Sequence, residues 1–160
     1  MTDPTLERLG ALAKTLNEAS DLISKQIGQI EAALNALRIG VWAWVEVKRE
    51  EELFEDEDTD TKTTERHVMT NVLRLGYTKH KGKWQLVVSE GYEELDEVDV
   101  TPLREVKREV KLDAVEKIPH LLKAIEKKVA KVTEDATRKA SAVASIAAAL
   151  RKDAEAAGGR

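Results

Sequence analysis

The chain has 160 residues, 42% hydrophobic and 35% charged, with a formal net charge of −4. A compact domain of this length buries roughly 70% of its unfolded surface, so a true core is expected. Cysteine is absent, which excludes disulfides, thiolate catalysis and cysteine-based zinc sites. No run approaches the roughly 20 apolar residues of a membrane helix. The even charge balance points by itself to neither nucleic acid nor a membrane surface. Residues 1–10 lack the basic start and apolar core of a secretory signal, and a cytoplasmic location is expected.

The first predicted element is a long helix over residues 3–39. Asp3 or Thr2 suits its N-cap and Pro4 its first turn. Leu9, Ala13, Leu16, Ser20, Ile23, Ile27, Ile30, Leu34 and Leu37 recur at alternating steps of four and three, the heptad spacing of a helical seam. Gly40 is the expected terminator, since glycine accepts the left-handed geometry found after helices.

Residues 40–100 read as a β module. All six aromatic residues lie here: Trp42, Trp44, Phe54, Tyr77, Trp84 and Tyr92. Val41–Val47 is rich in β-branched and aromatic residues, and alternation puts Trp42 and Trp44 on one face. Further strands are expected from about Glu65 to Tyr77, at Trp84–Ser89 and near Val98–Val100, with a turn at Gly82. Eight of the eleven residues in 50–60 are acidic. Dense like charge repels itself, which predicts a mobile loop at a strand tip.

A last helical segment is expected over 102–152. It starts at Thr101–Pro102 and is kinked near Pro119, with Asp113 and Glu116 as a capping box for a fresh start. Heptad spacing returns through Ile118, Leu122, Ile125, Val129, Val132, Ala136, Lys139, Val143, Ile146 and Leu150. Residues 153–160 read as a frayed tail.

Charge follows the same divisions. Residues 1–40 carry four basic and five acidic groups, 41–102 eight and sixteen, and 103–160 fourteen and nine. The modest total therefore hides an acidic centre, at −8, and a basic end, at +5.

The expected fold is α+β: two long heptad-patterned helices bracket a three- to four-stranded antiparallel sheet. Each apolar stripe needs a partner in water, so the two seams are expected to bury each other as an antiparallel coiled coil. The layout resembles that of the prefoldin chaperone subunits, which also place β-hairpins between two coiled-coil helices. The resemblance is one of layout alone, and it implies an oligomeric interaction protein.

Chemistry-bearing patterns are sparse. His67, His80 and His120 lack a ligand-like neighbour at helical spacing. Asp56, Asp58 and Asp60 open like a calcium loop, but Thr61 and His67 occupy the places of its glycine and closing glutamate. There is no glycine-rich phosphate cradle and no nucleophile elbow. No cofactor, no metal and no enzymatic activity are expected.

Trp42, Trp44 and Trp84 offer either a sheet core or a stacking platform. The acidity of the centre argues against stacked-base binding there. Lys123, Lys127 and Lys131 form a stripe with Lys128 alongside. The stripe suits a solvated face, a phosphate contact, or pairing with the acidic loop within or between chains.

The expected function is protein–protein interaction, as an adaptor, assembly factor or chaperone-like subunit, with homo-oligomerisation. The expected contact residues are Glu52, Glu55, Asp56, Glu57 and Asp58 with Trp42, Trp44 and Trp84. The alternative is nucleic-acid binding through the basic face of Lys123, Lys127, Lys128 and Lys131.

Overall fold

A computed structural model describes residues 3–159. Asp3 caps the first helix, α1 (Pro4–Ala36), its carboxylate accepting from the Thr5 amide at 2.8 Å. The helix ends before Gly40: Leu37 caps it, and Arg38 and Gly40 both take positive φ, 51° and 60°. The reversal into the sheet thus starts two residues earlier than the glycine suggests.

Four strands follow as an antiparallel meander in the order β1-β2-β3-β4. They are β1 (Ala43–Asp58), β2 (Thr63–His80), β3 (Lys83–Tyr92) and β4 (Asp99–Pro102). The β2–β3 hairpin turns on Lys81 and Gly82, both with positive φ, the requirement of a tight two-residue turn.

Three expectations about the chain path are corrected. First, residues 50–58 are strand. Glu51–Asp58 pairs with Thr63–Thr70 of β2, and only the turn between the strands remains of the expected loop. A cross-strand partner offsets part of the like charge, Arg66 meeting Glu55 at 2.9 Å, and His67 lies 3.8 Å from Asp56. Second, Thr101 and Pro102 end β4 and do not start a helix. Thr101 pairs with Val88 and Pro102 with Val87, on an edge strand where a missing N–H is tolerated. Third, the last segment is two helices. α2 (Arg108–Val115) stops before Pro119, and α3 (Ile118–Gly158) carries that proline in its first turn. Asp113 and Glu116 form no capping box, since the α3 N-cap is Lys117 without a side-chain bond. α3 runs through Gly158, into the expected tail, whose last residue, Arg160, lies outside the described residues.

The core lies on one face of the sheet. Leu73, Leu75, Tyr77, Leu86 and Val88 meet Ile27 and Leu34 of α1, Leu103, Ala114 of α2, and Ile118, Leu121 and Ile125 of α3. Short ties fix α2 to α1: Lys111 donates to Ser24 Oγ at 3.1 Å, and Arg108 to Asn17 Oδ1 at 2.8 Å. The opposite face is covered more thinly. Trp44 lies on Gly76, and the turn after β3 folds over Gly91 at Glu97 and Val98. Glu93 in that turn receives Arg49 through two bonds of 2.7 Å. This guanidinium holds the Glu93 carboxyl below its ordinary value.

The two helical seams do not bury each other. Only the sheet-facing part of each is buried, Ile27 and Leu34 on α1 and Ile118 and Ile125 on α3; beside them α3 buries Leu121, which is off the expected seam, while the seam residue Leu122 is exposed. Leu9, Leu16, Val132, Val143, Ile146 and Leu150 are 45–65% exposed. The sheet took the partner role that the spacing assigned to the other helix.

Candidate interaction surfaces

Beyond Asn71, β2 has no third strand beside it, because β3 pairs only with Asn71–His80. Glu51–Thr70 therefore stands out as a two-stranded finger. Its eight acidic groups face only Lys62 and Arg66 as basic counterparts. Glu52, Glu55, Asp56, Glu57 and Asp58 all lie on its β1 side. The finger's base is stiffened by Phe54, stacked on His67 at 5.9 Å and set edge-on to Tyr92 at 5.6 Å. Tyr92 OH donates to Glu52 at 2.7 Å, which raises the phenol's pKa. Leu53 and Val68 pair directly across the strands on the other finger face and are 60% and 54% exposed.

The tryptophans do not form one platform. Trp84 faces the helices and stacks on Tyr77 at 5.3 Å. Trp44 faces the opposite side over Gly76. Trp42 precedes β1 and lies under Lys128, whose ammonium sits 3.2 Å from the ring centroid and donates to the Trp42 carbonyl at 2.8 Å. A cation held on an indole face is favourable by about 0.5–2 kcal/mol.

Two surfaces treated separately in the sequence meet here. Trp42, Ala43 and Trp44 join Ala124, Lys127, Lys128 and Lys131 around one groove of about 490 Å³. Lys123 is not among its lining residues.

A second cleft, of about 510 Å³, opens between the end of α1 and the β2–β3 hairpin. Several of its polar groups are engaged within the fold. Tyr77 OH donates to Asn35 Oδ1 at 2.5 Å, and Asn35 Nδ2 to the Trp84 carbonyl at 3.1 Å. Burial, aided by the Glu31 charge, raises the Tyr77 pKa. Glu31, only 5% exposed, accepts from the Leu86 amide at 3.1 Å and pairs with Arg104 at 3.2 Å. That amide has no strand partner because β4 reaches β3 only at Val87 and beyond, so Glu31 completes the sheet edge. The sequence carried a signal for it: Glu31 stands four residues after Ile27 and three before Leu34, on the buried line. Glu31→Ala is expected to leave the Leu86 N–H unpaired and cost about 1–2 kcal/mol. Glu31→Gln keeps an acceptor and should cost less. Thermal melts of the two variants compare them directly, and equal midpoints would contradict the edge-capping role.

Among the described residues no cluster of three or more potential metal ligands occurs. No helix there is long and apolar enough to cross a membrane. Comparison with known proteins returns no matching family model, no matching curated protein and no matching solved structure.

Proposed function

We propose that this chain is a non-enzymatic, cytoplasmic protein-interaction module whose two helical arms each dock a partner helix. The observation that carries the reading is the unburied half of each seam. Residues 3–19 and 130–159 contain no buried side chain, yet they keep apolar residues at alternating steps of four and three, interrupted only at Lys139. At 1.5 Å per residue the free part of α3 is about 43 Å long. Exposed apolar residues repeated along a face in this way mark an interaction site.

The partner's chemistry follows from the seam. Knobs at heptad spacing fit the holes of another helix. Eleven alanines within 130–158 permit close approach. The arm charges nearly cancel, with five basic and four acidic groups over 130–158, so apolar contact rather than charge selects the partner.

The test is a triple variant, V143S/I146S/L150S. A protein captured by the wild type is purified and recombined with it. Loss of a stoichiometric complex in the variant, with slowed amide exchange along the arms in the wild-type complex, is the expected result. A complex retained in full by the variant would overturn the arm reading. Substitutions this exposed should move the melting midpoint of the free protein by no more than a degree or two.

The nucleic-acid alternative is favoured by one observation, the meeting of Trp42 and Trp44 with Lys127, Lys128 and Lys131 in one groove. It requires binding of a single-stranded oligonucleotide that falls steeply with salt. Absence of binding at low salt removes it.

A further inference from the structure

The acidic finger and the tryptophan–lysine groove lie at opposite ends of β1. That strand has 16 residues, which at about 3.3 Å each separates the fingertip from Trp44 by about 50 Å. The two surfaces cannot meet within one chain.

They are nonetheless matched in kind. The finger presents an exposed apolar pair, Leu53 and Val68, with Glu51 and Glu55 next in register on the same face and Glu57 beyond. The groove presents the Trp42 indole under Lys128, with Trp44, Lys127 and Lys131 also lining it. One surface is apolar and anionic, the other aromatic and cationic. Lys128 is already fixed over Trp42, so one positive charge stands on the aromatic floor without further ordering. Lys127 and Lys131 form no ion pair or side-chain hydrogen bond within the described residues, and both are available to incoming carboxylates. A nucleic acid would supply anions too, but it would approach beside a β module of net charge −8.

We propose that the finger of one copy docks in the tryptophan–lysine groove of a second copy. The contact is heterologous: each copy that joins keeps one finger or one groove free. Copies therefore add head to tail, as an open chain or a closed ring. This use of the surface goes beyond the helical arms and involves neither of them. Because the contact is largely between opposite charges at an exposed site, added salt weakens it.

Two charge-reversed variants test it, E51K/E57K on the finger and K127E/K131E in the groove. Glu52 and Lys128 are left alone because they hold Tyr92 and Trp42. Sedimentation velocity over a concentration series, at low and high salt, reads the assembly. The wild type is expected to grow beyond a dimer with concentration and to dissociate in salt. Each variant alone should associate more than about tenfold more weakly. An equimolar mixture of the two should associate again, because each finger then meets a groove of opposite sign. A folding defect does not produce that recovery.

A wild type that stays monomeric at high concentration and low salt would overturn the proposal. So would association that both variants retain. Binding of a single-stranded oligonucleotide that is lost in K127E/K131E, by a monomeric wild type, would assign the groove to nucleic acid instead. The variant V143S/I146S/L150S should assemble like the wild type, which separates this contact from the helical arms.

Discussion

Leu121→Ala is expected to destabilise the protein by about 2–5 kcal/mol, the range for truncating a buried leucine that leaves a cavity. The reason lies in how little of α3 is anchored. Of its 41 residues only Ile118, Leu121 and Ile125 are buried, and Leu121 is fully so. Those three side chains stand about one turn apart and belong to the same buried cluster as Leu73 and Leu75 of the sheet. Removing the middle one opens a hole against a sheet that cannot collapse into it. Chemical denaturation measures the loss. Val143→Ala, also on α3 but on its exposed half, should change the unfolding free energy by less than about 0.5 kcal/mol. Similar costs for the two substitutions would mean that the distal half of α3 is packed in solution, in a self-complex of the arm.

Gly76→Ala is expected to cost about 2–3 kcal/mol, although only one methyl group is added. A Cβ at this position would fall 2.4–2.6 Å from three atoms of the Trp44 ring. Trp44 and Gly76 are direct partners in the β1–β2 ladder, so the rigid indole can yield only by leaving the sheet face. Two effects oppose each other. Alanine stabilises by about 0.4–1 kcal/mol through the unfolded chain, which is less than the overpacking and the lost burial of the ring. The tryptophan emission of the variant should shift to the red as Trp44 meets water. In a Trp44→Ala background the same substitution should be nearly neutral or mildly stabilising. A full penalty in that background would place the clash elsewhere.

The elements with strong local signals were legible without the structure. The N-terminal helix follows from Asp3, Pro4 and the repeating leucines and isoleucines. The β2–β3 turn follows from Gly82, and the pairing of strands between two helical segments follows from where the aromatics stop. Glu50–Asp58 was misread for a physical reason. Charge density argues for a solvated loop, but strand pairing depends on the facing residues. Those include Arg66, His67, Val68 and Met69, which lie eleven to seventeen residues after their partners. Thr101–Pro102 was misread in the same way, since its start signal for a helix was weaker than the free edge of β3.

The candidate surfaces divide along the same line. Each of their residues was visible as acidic, aromatic or basic, but their grouping was not. Alternation put Trp42 and Trp44 on one strand face, whereas Trp42 precedes β1 and lies under Lys128 and Trp44 lies over Gly76. Nor could alternation follow the register shift between Glu46 and Lys48, which turns Glu52 and Phe54 toward Tyr92 and leaves Leu53 facing out. An irregularity of one residue exchanges the two faces of everything beyond it.

By itself the sequence determined the element types, the acidic centre, the basic end and the two apolar seams, because these depend on periodicity and composition within one stretch of chain. Only the tertiary structure decided what the seams face. A sheet that buries one short stretch of each helix leaves the rest in water, so the same spacing serves as core near Ile27 and Ile125 and as free surface near Leu9 and Ile146. The tertiary structure also decided that Trp42 and Trp44 share a groove with Lys127, Lys128 and Lys131. That juxtaposition spans more than eighty residues of chain and arises where α3 crosses the first residues of β1, a meeting that no local pattern encodes.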